Sequence, residues 1–128
     1  MRQIATEMMM NKDRTDEMHH AYREFKKLVD NLENDELVNK IDKFIDKYPE
    51  SVDLVTCDDT YHTNSDLILI HHIWTDKETK KKNLWGTTVF FIAQCDGQPI
   101  SEFFLYPGHT RQLIDSLSKA YEIREPNK

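Results

Sequence analysis

The chain is expected to fold as an α+β domain in which an N-terminal helical hairpin precedes a four-stranded antiparallel meander and a C-terminal helix. Three observations lead there. Met18, Tyr22, Phe25, Val29 and Leu32 recur at helical steps, as do Leu37, Ile41, Phe44 and Tyr48. After Pro49 the apolar period changes from helix to strand. Asp96-Gly97 then lies between two apolar runs, a hairpin signal because a two-residue type I′ turn needs positive φ at both central positions.

The first stripe predicts a helix from about Asp13 to Leu32, with residues 1–11 left as a loose turn or as disorder. The second predicts a helix ending at Pro49, with Asn34 or Asp35 as its cap. Together they make residues 12–49 a hairpin whose seam faces a sheet or a partner chain. In "SVDLVTC", Val52, Leu54 and Thr56 point one way while Asp53, Val55 and Cys57 point the other. The strands "DLILIHHIW", "LWGTTVFFIAQC" and "QPISEFFLY" follow, the first two joined by the charged loop "TDKETKKKN", so residues 50–107 form the sheet.

A two-residue turn at Asp96-Gly97 sets a testable register: Cys95 opposite Gln98, Ala93 opposite Ile100, Phe91 opposite Glu102, Phe90 opposite Phe103 and Val89 opposite Phe104. One face then carries Val89, Phe91, Ala93, Ile100, Phe104 and Tyr106; the other carries Phe90, Ile92, Phe103 and Leu105. An antiparallel sheet with one wet face alternates more cleanly than this, so the second face also needs a cover. The final helix, within residues 108–122, is expected to cover one side with Leu113, Ile114, Leu117 and Tyr121, leaving the hairpin to cover the other or to complete a homodimer.

A length of 128 residues fits one domain, which buries roughly two-thirds of the surface of its unfolded chain and needs neither metal nor disulfide to fold. With 31% charged residues and only three glycines and four prolines, the composition is that of an ordered soluble protein. No apolar run approaches a membrane span, and the first residues lack the apolar segment of a secretory signal, so a cytoplasmic location is expected. Cys57 and Cys95 form no CxxC, which favours reduced thiols.

The charge of −6 is uneven: residues 30–59 hold ten Asp/Glu against three Lys. That field repels nucleic acid and argues against direct binding to it. Its ordinary meaning is a solvated face; its functional meaning is a docking surface for a basic protein, through Asp42, Asp46, Glu50 and Asp53. Lys77, Lys80, Lys81 and Lys82 read as a solvated hairpin loop.

His71 and His72 are neighbours on a strand, so their side chains diverge and cannot chelate one ion. Each is expected to bond a polar group on its own face. Cys57, His62 and Cys95 with a strand histidine supply zinc-ligand types, but not at the spacing of a compact zinc motif. Asp16, Glu17, His19, His20 and Glu24 lie at helical spacings, yet a di-metal carboxylate site needs a second Glu-x-x-His, which the chain lacks. Asp16–His20 and His20–Glu24 are expected as exposed ion pairs instead. Cys57, Asp58 and His62 have the residue types of a thiol catalyst without a nucleophile elbow or glycine-rich hole. No nucleotide-binding or metalloprotease motif is present, so no cofactor and no catalysis are expected.

Pro107-Gly108 leads into the last helix, where Thr110 as cap with His109 and Arg111 would make an anion site, His72 being the strand histidine drawn to it. The functional expectation is thus a small acidic protein that binds another macromolecule as inhibitor, adaptor or regulator, without catalysis. Tyr22, Trp74, Trp85 and Tyr106 are its candidate anchors. The alternative is a protein that binds or sequesters a phosphorylated metabolite or nucleotide, and a weaker one is a metal-dependent or thiol enzyme.

Overall fold

The computed structural model describes the backbone of residues 2–56, 65–93 and 100–124, and the side chains of these except at 2–14, 34–35 and 124. The elements are α1 (Arg2–Asn31), α2 (Asn34–Lys47), β1 (Val52–Thr56), β2 (Ser65–Thr75), β3 (Lys82–Ala93), β4 (Ser101–Leu105) and α3 (Pro107–Arg124). All neighbouring strands pair antiparallel in the order β1-β2-β3-β4, so the expected α+β architecture with a helical pair and a meander is present.

α1 begins at Arg2, not near Asp13, which corrects the expected loose N-terminus. The reason is local: no Gly or Pro interrupts residues 2–31, while Met, Lys, Glu and Ala favour helix. α2 is capped at Glu33, not at Asn34 or Asp35, which both lie inside the helix. Glu33 is extended, at φ −68° and ψ 159°, and its carbonyl accepts the first helical bond from Leu37 N–H at 2.9 Å. The helix stops where Tyr48 leaves helical geometry, just before Pro49.

The two helices lie on one face of the sheet. Phe25, Leu37, Ile41, Phe44, Val52, Ile68, Ile70, Phe90 and Ile92 form the core between the layers, with Phe25 in ring contact with Phe44 at 5.2 Å and Phe90 at 4.7 Å. Pairing places Val52 opposite Ile70, and Ile68 opposite Phe90, so the buried stripe runs across the strands.

The register of the last hairpin differs from expectation by one residue. Val89 faces Phe103, Phe90 faces Glu102 and Phe91 faces Ser101. Partners an even number of positions apart cannot flank a two-residue turn without an extra residue; Asp96-Gly97 itself lies outside the described residues. The shift moves Phe104 to the helix-covered face beside Thr88 and sends Phe103 to the opposite face beside Val89.

Two further features come from backbone detail. A bulge between His72 and Ile73 leaves Trp85 without a strand partner. In the β2–β3 loop, Lys80 adopts φ 61° while the Asp76 carboxylate accepts the N–H groups of Glu78 and Thr79 at 2.8 and 3.2 Å.

α3 does not cover the sheet as expected. Leu113, Ile114, Leu117, Tyr121 and Ile123 remain 39% to 79% exposed. One residue, Tyr106, joins β4 to α3, and Pro107 is pre-set for a first helical position, so the helix departs in the direction that the strand end dictates. Among the described residues, no helix is long and apolar enough to cross a membrane.

Candidate functional site

His71 and His72 diverge as the strand requires. His71 stays on the face away from the helices, where its Nε2–H donates to Asp53 Oδ2 at 2.8 Å and Nδ1 accepts from the Thr87 hydroxyl at 2.9 Å. His72 is 2% exposed under α1. Its Nδ1 lies 3.0 Å from Met18 O, and a carbonyl only accepts, so that nitrogen carries the proton. The same N–H approaches His19 Nδ1 at 2.9 Å, and Nε2 accepts from the Thr88 hydroxyl at 2.7 Å. Burial, and then neighbouring His19, push the His72 pKa down to about 4. His19 is lowered too, first by burial and then by Arg23. Both imidazoles are neutral at pH 7.

Aromatic rings close over this pair. The bulge turns Trp85 to the same side as His72, and its indole meets His19 and His72 edge-on at 5.1 and 5.6 Å. Phe104 lies 4.9 Å from Trp85 and 5.6 Å from His72. It reaches that position because Gly86 has no side chain: a Cβ there would fall 2.0 Å from the Phe104 ring. Tyr22 stacks on Phe90 at 5.9 Å and donates to Glu102 Oε2 at 2.9 Å, while Lys26 Nζ meets Oε1 at 2.7 Å. Burial raises Glu102, but the bonds from Lys26 and Tyr22 outweigh it and hold the carboxylate below its ordinary range. The result is a cleft of about 400 Å³ whose walls include His19, Tyr22, Trp85 and Phe104.

The di-metal carboxylate reading on α1 is not assembled. Asp16 pairs with Arg23, Glu17 accepts from Thr75, and Glu24 pairs with Lys47, so Arg23 replaces His20 as the partner of Asp16, while His20 still acts on Glu24 as a weaker electrostatic neighbour behind Lys47. Among the described residues no group of three or more His, Cys, Asp or Glu could hold a metal ion. Cys57, Asp58, His62 and Cys95 lie outside the described residues.

The expected anion site is not gathered either. α3 starts at Pro107, three residues before the expected cap, so Thr110 is inside the helix and its N–H already donates to Tyr106 O at 3.1 Å. His109 and Arg111 are exposed, and His72 has both nitrogens engaged in the core. The acidic residues divide between two faces. Asp42 and Asp46 are exposed on α2, whereas Asp53 sits on the far face of the sheet with His71, and Glu50 pairs with Lys82. Of the expected anchors, Trp85 and Tyr106 are exposed by 44% and 56%, while Tyr22 and Trp74 are half-buried.

The face of the sheet away from the helices offers a second surface. Cross-strand pairing builds two apolar rows there: Val55, Leu67 and Phe91 in one, and Leu69, Val89 and Phe103 in the other, with Asp53 at its end. Val55, Phe91 and Phe103 are 46%, 40% and 52% exposed, Leu67 and Leu69 are half-buried and Val89 is buried between its neighbours, and a shallow groove of about 210 Å³ lies between Val55, Leu67 and Phe91. The sequence signalled this surface as a second apolar face. It misassigned Phe103 and Phe104 because the turn-based register was one residue off. The His19–His72 contact gave a weaker signal: His19 stands three residues before Tyr22, on the shoulder of the buried stripe. Comparison with protein-family models, curated proteins and solved structures finds no match to this chain.

Proposed function

We propose that this protein acts without catalysis, as a binding module that serves as inhibitor, adaptor or regulator, and that its docking surface is the open face of the sheet. The observation that carries the reading is the pair of apolar rows on that face, exposed at Val55, Phe91 and Phe103. Solvent-exposed apolar patches of this continuity mark interaction sites. A flat, pleated apolar surface is suited to the apolar stripe of an amphipathic helix, as its opposite face already demonstrates with α1 and α2. The test is Phe91→Ser with Phe103→Ser. Captured protein partners should be lost while thermal unfolding stays within about 3 °C; partners retained at wild-type level would remove the surface from the reading.

A second reading, small-ligand binding, rests on the cleft at His19 and Trp85 and no longer on the start of α3. Neutral imidazoles and aromatic walls suit a flat, uncharged ring system better than a phosphate group. A thermal-shift panel of nucleosides and indoles, in wild type and Trp85→Ala, tests it: a shift confined to the wild type supports the cleft, and none in either discards it.

A further inference from the structure

We infer that the occupant of the open sheet face is α3 of a second copy of this chain, exchanged reciprocally to form a twofold dimer. The inference rests on the proposed helix-docking role of that face and names its partner.

The chain carries two apolar surfaces that it does not bring together. One is the pair of rows across the sheet; the other is the α3 stripe of Leu113, Leu117 and Tyr121, with Ile114 beside it. They match in length. Three interstrand spacings make the sheet about 14 Å wide, and residues 113 to 121 span about 12 Å of helix. The joint explains why a helix does not close on its own sheet: Tyr106 is the single connecting residue, the Thr110 N–H is tied to its carbonyl, and its ring is held between Phe104 at 4.9 Å and His109 at 5.8 Å. A helix whose stripe stays exposed, next to a sheet face that leaves Val55, Phe91 and Phe103 exposed, satisfies both surfaces when two copies trade helices.

The area suffices. Val55, Phe91, Phe103, Leu113, Ile114, Leu117 and Tyr121 are all 39% or more exposed. At about half of the roughly 200 Å² that a large side chain presents, the seven amount to on the order of 700 Å² per copy, close to the roughly 800 Å² that each partner contributes to a stable interface. Because the contact is made twice about one axis, every copy both gives a helix and receives one.

Light scattering on the full chain between 1 and 100 µM tests the inference. The wild type should have twice the 15.2 kDa chain mass. Leu117→Asp and Phe91→Asp should each give monomers with unchanged far-ultraviolet circular dichroism; if Phe91→Asp fails to fold, Phe103→Ser replaces it. A dimer that survives either substitution overturns the inference, as does a monomeric wild type. In the monomeric case a synthetic Leu/Lys amphipathic helix separates the two readings. If it stabilises wild type but not Phe103→Ser, helix docking stands and only the identity of the partner fails. If it stabilises neither, both fall.

Discussion

The two faces of the sheet have similar apolar composition and different fates. The helix-side face carries Val52, Ile68, Ile70, Phe90 and Ile92, each at most 1% exposed, while the far face buries Val89 at its centre but leaves Val55, Phe91 and Phe103 between 40% and 52% exposed. Phe90 and Phe91 are adjacent in sequence and differ only in the side to which the strand sends them. Burial is therefore a property of what covers a residue, and the sequence pattern indicates only that a cover is wanted.

Breaking the covered face should have the largest effect. Phe90→Ala removes a ring packed against Phe25 and Tyr22, and its expected cost is about 3–5 kcal/mol in urea unfolding, against under about 1 kcal/mol for Phe91→Ala measured at a concentration where the chain is monomeric. Equal costs would erase the distinction between the faces.

The histidines sharpen the same contrast through pH. His72 titrates near 4 when folded and near 6.5 when unfolded, so the unfolded chain binds the extra proton first. Its contribution is complete above about pH 6.5 and fades as pH falls toward 4, a loss of about 3 kcal/mol over that window. Unfolding curves of wild type and His72→Gln across pH 4–7 should converge at the acid end. Parallel curves would mean that His72 does not govern the acid limb.

Gly86→Ala should cost about 1–3 kcal/mol, because its methyl group meets the Phe104 ring, and Phe104→Ala in the same chain should recover part of that loss in a double-mutant cycle. Purely additive costs would mean that the ring does not need that space. The smallest change is expected at the rim: Glu102→Gln, which weakens a partly exposed pair with Lys26, should shift stability by under about 1 kcal/mol and less at high salt. A larger loss would make Glu102 part of the core.

Much of this was legible in the chain. The stripes of α1 and α2, the four strands and the divergence of His71 from His72 follow from periods of 3.6 and 2, which are local properties. The candidate surfaces were legible only in part. A second apolar face was evident, but which of Phe103 and Phe104 belongs to it depended on a register that the Asp96-Gly97 signal misjudged. The Trp85 bulge left no mark in the pattern, and the anion site at Thr110 depended on a helix start that lay three residues earlier.

The sequence by itself determined element type, element order and the demand for cover on both sides of the sheet, because hydrophobic period and breaker residues act within a few positions along the chain. Only the tertiary structure decided which side received the helices, that His19 would meet His72, and that the apolar stripe of α3 would stay exposed. Those outcomes depend on strand register and on the direction of a one-residue joint, where a shift of a single position reverses the face on which every side chain lies.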